Sequence, residues 1–182
     1  MLDSLRVNNS TLRLTKGDIT ELEVAAFVYY AQHDLQLGSG FGTAVSLRGG
    51  PKVQEELDGL GPLATTEVVV SGAGRLGAEY ILHAVGPRFQ EADLESKLRT
   101  TVLNCLTQAD AKGVASLAFP AMGAGFYGVP LPVCAEISLR AIHDYLCQQT
   151  GLENVTVCLL DNREYKVFAE QLKALASTPV KA

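Results

Sequence analysis

The sequence predicts an α/β fold: a three-layer α/β/α sandwich around a mixed, mostly parallel central sheet. Three observations lead there. Strand-like and helix-like segments alternate along most of the chain, the pattern of helices laid on both faces of a sheet. Two of the strand-like segments, "VASLAFPAM" and "NVTVCLLD", are apolar almost without a break, as strands covered on both faces are. Two glycine-rich stretches, "LGSGFG" and "MGAGFYG", follow strand-like segments, at the carboxyl ends where open sheets of this kind take their ligands.

Each element has its own signal. "LRV" and "TLRLTKG" flank the Asn-rich "NNS" and read as a hairpin or two extended pieces. "AAFVYYA" is a compact apolar and aromatic strand, and "HDLQLGSGFG" after it is a loop. "TAVSLR" begins a helix that "GGP" interrupts, and "KVQEELDGL" resumes it with Pro51 in the first turn. "EVVVSGAG" and "YILHAVG" are strands joined through a Gly-rich turn. The next helix carries Leu94, Leu98, Val102, Cys105, Leu106 and Ala109 as an apolar stripe that Gly113 ends. After "VASLAFPAM", "LPVCAEISLRAIHDYLCQQ" is a helix stopped near Gly151, "NVTVCLLD" a buried strand and "EYKVFAEQLKALA" the last helix. The tail "STPVKA" is expected to fray.

The chain has 182 residues, of which 47% are hydrophobic and 19% charged. This suits a single domain over residues 1–182 with its core in about 12–175, and no linker or repeat divides it. No apolar run reaches the length of a membrane span, and "MLDSLRVNNS" lacks the basic-then-apolar pattern of a secretory signal, so a cytoplasmic protein with no membrane partner is expected. The net charge of −5 argues against nucleic acid as partner, since phosphate-backbone binding calls for a clustered basic face. Cys105, Cys134, Cys147 and Cys158 show no CxxC spacing and sit in apolar patterns, so buried free thiols are expected. No pattern asks for a cofactor, and three scattered histidines without a carboxylate cluster give no metal site.

The chemistry lies in the two glycine loops. Residues without Cβ let backbone N–H groups converge on one point and admit a ligand closely. Such turns form anion-binding concavities, and a following helix adds its positive end. Two of them on one crevice suit the two phosphates of a pyrophosphate, with a neighbouring Phe or Tyr against a sugar ring. These donors carry no formal charge, so an acidic protein can still hold an anion. Gly123, Gly125 and Gly128 also satisfy G-x-G-x-x-G, but the acid expected about 20 residues later to hold a dinucleotide's ribose arrives only at Asp161. No Gly-Lys-Ser/Thr follows either cluster, so a Walker-type loop is absent.

These segments together resemble the macrodomains, a family that binds ADP-ribose. The resemblance runs from about Leu12 to Leu175 and rests on "TKGDIT", "LGSGFGTAV", "GGPKVQEELD", "SGAGRL", "YILHAVGP" and "LAFPAMGAGFYG" in that order. It implies that Asp18 accepts from the adenine amino group with the Ile19 backbone beside it. Gly38, Ser39, Gly40 and Phe41 would form the first phosphate loop, and Gly123, Ala124, Gly125 and Phe126 the second. Tyr127 would cover the distal ribose, and Leu160 would pack on the base where the family has an aromatic ring, with Asn162 nearby. The chain departs from the family in two places that bear on catalysis. Where the family shows Asn-Ala-Ala-Asn, this chain has Tyr29-Tyr30-Ala31-Gln32. Gln32 keeps an amide but carries it about 1.5 Å further out, a displacement that positioned catalysis tolerates poorly. The acid that more active members carry after the first glycine run is missing from Phe41-Gly42-Thr43.

Other residues weigh less. Asp18 also suits the N-cap of a helical turn around "ITELE", compatible with a ligand role. His33 and Asp34 are adjacent in an extended segment and point apart, as a solvated loop. His83 reads as a satisfied strand histidine, and His143 with Asp144 as an exposed helix face. Of Tyr29 and Tyr30, one is expected in the core and the other near the cleft, and the sequence does not say which. Two functions remain: a binding module for free or protein-linked ADP-ribose, or a slow hydrolase of a mono-ADP-ribosyl ester, O-acetyl-ADP-ribose or ADP-ribose 1″-phosphate. Enzymatic activity is left open, with Gln32 the one weak catalytic candidate.

Overall fold

A computed structural model describes residues 2–177; Met1 and residues 178–182, which hold most of the tail expected to fray, lie outside the described residues. The strands are β1 (Ser4–Val7), β2 (Ser10–Lys16), β3 (Ala26–Tyr30), β4 (Val68–Gly72), β5 (Tyr80–Ala84), β6 (Ser116–Phe119) and β7 (Asn154–Leu159). The helices are α1 (Phe41–Gly49), α2 (Pro51–Leu57), α3 (Leu94–Ala111), α4 (Leu131–Leu146) and α5 (Asn162–Ala176). Single 3-10 turns stand at Ile19–Glu21 and Gly125–Tyr127.

The strands form one sheet in the order β1-β2-β7-β6-β3-β5-β4. Its five inner strands are parallel to their neighbours, while β1 and β4 pair antiparallel at the two edges. The alternation of side chains along a strand sorts residues between two apolar layers. Ala26, Val28 and Tyr30 of β3 join Leu117 and Phe119 of β6 against α3, α4 and α5. Phe27 and Tyr29 face the other way, with Val45 of α1 and with Val53 and Leu57 of α2. Helices thus cover both faces, as the near-continuous apolar strands require.

Local sequence accounts for the element ends. Asn8 takes the left-handed φ of 52° that turns the β1–β2 hairpin, and its side-chain amide donates to the carbonyls of Leu146 and Cys147 at the end of α4. Asp161 caps α5 by accepting from the Glu164 N–H at 2.9 Å. The α3 stripe at Leu98, Val102, Cys105, Leu106 and Ala109 is buried.

Four expectations are corrected. Helix α1 starts at Phe41, inside the glycine loop, and α5 at Asn162, because its cap is Asp161. Cys147 is exposed, because it lies just past the last turn of α4. His143 and Asp144 are half-buried, since Asp144 is drawn onto Arg99 of α3 at 3.0 Å. No helix among the described residues is long and apolar enough to cross a membrane.

Candidate functional site

The carboxyl ends of β2, β7, β6 and β3 open into one cavity of about 250 Å³. Three walls meet there. The exits of β2 and β7 and the first turn of α5 supply Gly17, Ile19, Cys158, Leu160 and Glu164. The loop after β6 supplies Pro120, Ala121 and the run Gly123–Tyr127. The exit of β3 and the start of α1 supply Gln32, Ser39, Gly40 and Phe41, while Val28, Tyr29 and Tyr30 of β3 lie beneath. Because β7 and β6 separate β2 from β3, the first and third walls stand at opposite sides of the cavity, with the β6 loop between them.

Both glycine loops therefore border one space, and each presents unoccupied donors. In the first, the N–H groups of Gly42 and Thr43 close onto the Ser39 and Gly40 carbonyls. In the second, Ala124, Gly128 and Val129 donate to Ala121, Gly125 and Gly123. Among the described residues this leaves the N–H groups of Ser39, Gly40, Gly123 and Gly125 with no backbone acceptor. Gly123 is required here: its φ is +80°, and a Cβ would come within 2.8 Å of the Val129 side chain and 3.1 Å of the Tyr30 hydroxyl. A Cβ on Gly125, at φ +69°, meets nothing within 4 Å, so that backbone faces open space.

The aromatic residues divide by role. Tyr127 is half-buried, its ring 4.6 Å from that of Tyr30 and 5.2 Å from that of Phe126, and its carbonyl accepts from the Phe89 N–H at 3.0 Å. Phe126 is 81% exposed and Leu160 71%, an apolar pair on the cavity's rim. Tyr29 and Tyr30 are both buried and both line the cavity, although one in the core and one at the cleft was expected. They point to opposite faces of the sheet, but at the last two positions of β3 each face ends at the same opening. The Tyr30 hydroxyl donates to the Pro87 carbonyl. Burial pushes the Tyr29 phenol up to about 12, with the Tyr127 and Asp34 charges adding to it, and pushes Tyr30 higher still. Burial also raises Tyr127, so all three phenols remain neutral hydrogen-bonding groups.

The Tyr29 hydroxyl also explains Gly42. A Cβ there would lie 2.5 Å from the phenol oxygen and 3.0 Å from the Leu37 carbonyl oxygen, so this tyrosine already fills the room of a side chain at 42. Gln32 is held by its neighbour, its Nε2 donating to Ser39 Oγ at 2.9 Å, which ties the β3 exit to the first glycine loop.

Of the residues singled out from the sequence, Ile19, Gln32, Ser39, Gly40, Phe41, Gly123, Ala124, Gly125, Phe126, Tyr127 and Leu160 line the cavity; Asp18 and Gly38 do not. Asp18 caps the turn at Ile19–Glu21: its Oδ1 accepts from Thr20 N at 2.9 Å and Thr20 Oγ1 at 2.6 Å, and its Oδ2 takes Arg48 at 2.6 Å. Burial pushes its pKa up, but the Thr20 and Arg48 hydrogen bonds and the Arg48 charge outweigh this and hold it below the usual value. Asn162 accepts from Lys16 Nζ at 2.7 Å and is not part of the lining. His33 Nδ1 lies 2.7 Å from the Leu63 carbonyl, while Asp34 accepts from the Gln36 N–H, so the two do not act as a pair. His83 is half satisfied rather than satisfied: Nε2 meets Ser71 Oγ at 2.8 Å and Nδ1 has no partner. Among the described residues no cluster of His, Cys, Asp or Glu could hold a metal ion.

Glu164 and Cys158 were missed. Cys158 donates its thiol to the Gly17 carbonyl at 3.4 Å. Glu164 had a signal in "DNRE", an acid followed three residues later by Glu, the spacing of a capping box. Here the Glu reaches one residue beyond the cap, accepting from the Leu160 N–H at 2.9 Å.

With this geometry in place, comparison with known proteins gives a consistent picture. Residues 28–138 match the family model described as "Macro domain". An uncharacterized protein of Saccharolobus solfataricus is 39% identical over 85% of this chain and 88% of its own. A protein of Pantoea vagans named O-acetyl-ADP-ribose deacetylase 1 is 30% identical over 88% of this chain and 98% of its own. Among solved structures, a variant of the Oceanobacillus iheyensis macrodomain with ADPR superposes at a TM-score of 0.92, with 28% identity, over 96% of this chain and 98% of that one.

Proposed function

The chain belongs to the macro domain family, and from that premise we propose that its cleft binds ADP-ribose, free or attached to protein, and that it acts as a binding module rather than a catalyst. One observation carries the reading. Two glycine turns border a single cavity, and four of their N–H groups have no backbone acceptor among the described residues. Converging backbone N–H groups in such turns form an anion-binding concavity, and a pyrophosphate supplies acceptor oxygens for two of them at once. Ligands on the related Oceanobacillus protein agree with this chemistry.

The second reading, slow hydrolysis of an ADP-ribose derivative, draws on the Pantoea relative's name. Three features favour binding over it. The Gln32 amide is engaged with Ser39, no acid stands at 41–43, and the Tyr29 hydroxyl occupies the volume that a side chain at 42 would need. A buried neutral phenol is a poor general base at neutral pH.

Titration calorimetry with ADP-ribose and ADP, run beside a turnover assay on O-acetyl-ADP-ribose and on ADP-ribosylated protein, tests both. We expect ADP-ribose to bind about tenfold tighter than ADP, through the distal ribose on Tyr127. No product release above the uncatalysed rate is expected. Equal affinities for the two nucleotides would remove Tyr127 from the site. Turnover that Gln32→Ala abolishes would replace the binding reading by the hydrolytic one.

A further inference from the structure

We propose that the ADP-ribose taken by this chain is carried on a polypeptide, and that a basic stretch of that polypeptide docks in a groove behind the second glycine turn. This deepens the ADP-ribose reading and rests on it. The groove, of about 620 Å³, has an apolar floor of Phe89, Leu94, Pro130 and Val133. Phe89 is 53% exposed, and Pro130 is exposed beside it. The rim is acidic: Glu91, Asp93 and Glu95 line it, and neither Lys nor Arg does.

Two observations name the occupant, and the first is charge. Glu91 is held by Lys97 at 2.9 Å. Asp93 and Glu95 are exposed, and among the described residues neither carboxylate has an ion-pair or hydrogen-bond partner. Asp93 even stands at the N-cap of α3 without making a capping bond. Two free carboxylates beside an apolar floor complement a segment that carries Lys or Arg next to an apolar residue. A second copy of this chain fits poorly, because its net charge of −5 brings acid to acid.

The second observation is continuity with the cleft. Tyr127 lines the cavity, and its carbonyl accepts from the Phe89 N–H at 3.0 Å. A Cβ on Gly128 would lie 3.2 Å from that of Phe89, so the outer side of the turn rests on the floor of the groove. With the distal ribose against Tyr127, the nucleotide lies on one side of this turn and the groove on the other. An extended chain advances about 3.3 Å per residue, so a polypeptide joined to that ribose reaches the groove within a few residues of the attachment. Exposed ion pairs are individually weak, so the docking adds to the hold on the nucleotide and does not replace it.

The test is calorimetry with free ADP-ribose and with three peptides that carry ADP-ribose through its distal ribose by the same non-hydrolysable bond. One has Lys, Arg and Leu beside the attachment, one has Asp, Glu and Leu, and one has only Gly and Ser. On the wild-type chain the basic peptide should bind about tenfold tighter than the acidic one, and high salt should erase the difference. Asp93→Asn combined with Glu95→Gln should erase it too, while the affinity for free ADP-ribose, which reports an intact fold, stays unchanged. Equal affinities for the peptides on the wild-type chain, or a preference that the double variant keeps, overturns the groove and leaves the ADP-ribose reading standing. So does a dimer in sedimentation that the double variant dissolves, since the groove then holds a second copy. Binding of neither free nor attached ADP-ribose by the wild-type chain overturns both.

Discussion

His83 shows how one buried residue sets a pH dependence that belongs to folding and not to function. It lies on β5 between Ser71 and the edge of the Tyr29 ring, 5.9 Å away, with no exposed surface. Burial lowers its pKa from 6.5 to about 3. The unfolded chain therefore binds a proton below pH 6.5 that the folded chain refuses until about pH 3, so stability is complete above 6.5 and declines as pH falls through that window. The expected slope is up to about 1.4 kcal/mol per pH unit. Urea unfolding between pH 4.5 and 6.5 should show it, ahead of the carboxylates, and His83→Gln should flatten it. A wild-type profile that is level over this range would contradict the burial of a neutral imidazole. The sequence told that His83 sits in a strand, but not that only one of its nitrogens finds a partner, because Ser71 comes from the neighbouring strand. Asp18 is similar. Its capping role was legible from "GDIT", whereas Arg48, which completes its bonding, lies 30 residues away on α1.

At the scale of the element, the start of α1 carries the most specific consequence. An acid at the second position of a helix is ordinarily favourable beside the positive end of the dipole. At Gly42 the Tyr29 hydroxyl and the Leu37 carbonyl stand where its Cβ would go, at 2.5 and 3.0 Å. Gly42→Asp should therefore destabilise the fold by about 1–3 kcal/mol, the usual effect of overpacking. Tyr29→Phe should restore part of this, so that the double variant is less destabilised than the sum of the two single ones. Chemical denaturation of the four chains measures the coupling, and strict additivity would show that the phenol does not fill the site. The order of elements and the α3 stripe were readable from periodicity and breakers. The start of α1 was not, because its cap is Gly40, which makes no side-chain cap bond that a pattern could announce; the start of α5 did have a local signal, Asp161 accepting from the Glu164 N–H.

The whole molecule is acidic, with a net charge of −5, and neither Lys nor Arg lines its cavity. If uncharged N–H groups hold the pyrophosphate, raising the salt concentration screens no attractive pair and eases the repulsion between protein and ligand. The dissociation constant for ADP-ribose should therefore stay level or fall, by less than about threefold, between low and high salt, in contrast to the steep loss seen when Lys and Arg neutralise phosphates. Isothermal calorimetry across a salt series checks this, and a steep loss would call for a cation such as Arg88 to move onto the ligand. The sequence by itself determined the layered α/β architecture, the place of both glycine loops at strand ends and the family to which they belong. The first two follow from local periodicity and from residues whose backbone freedom is a property of the residue alone, and the family from the resemblance of the quoted segments taken in order. Only the tertiary structure decided that Tyr29 and Tyr30 share one opening, that Tyr29 fills the space at Gly42, and that Glu164 rather than Asp18 lines the cavity. Each of those depends on distances between segments far apart in the chain, which the packing of helices on the sheet sets and no local pattern encodes.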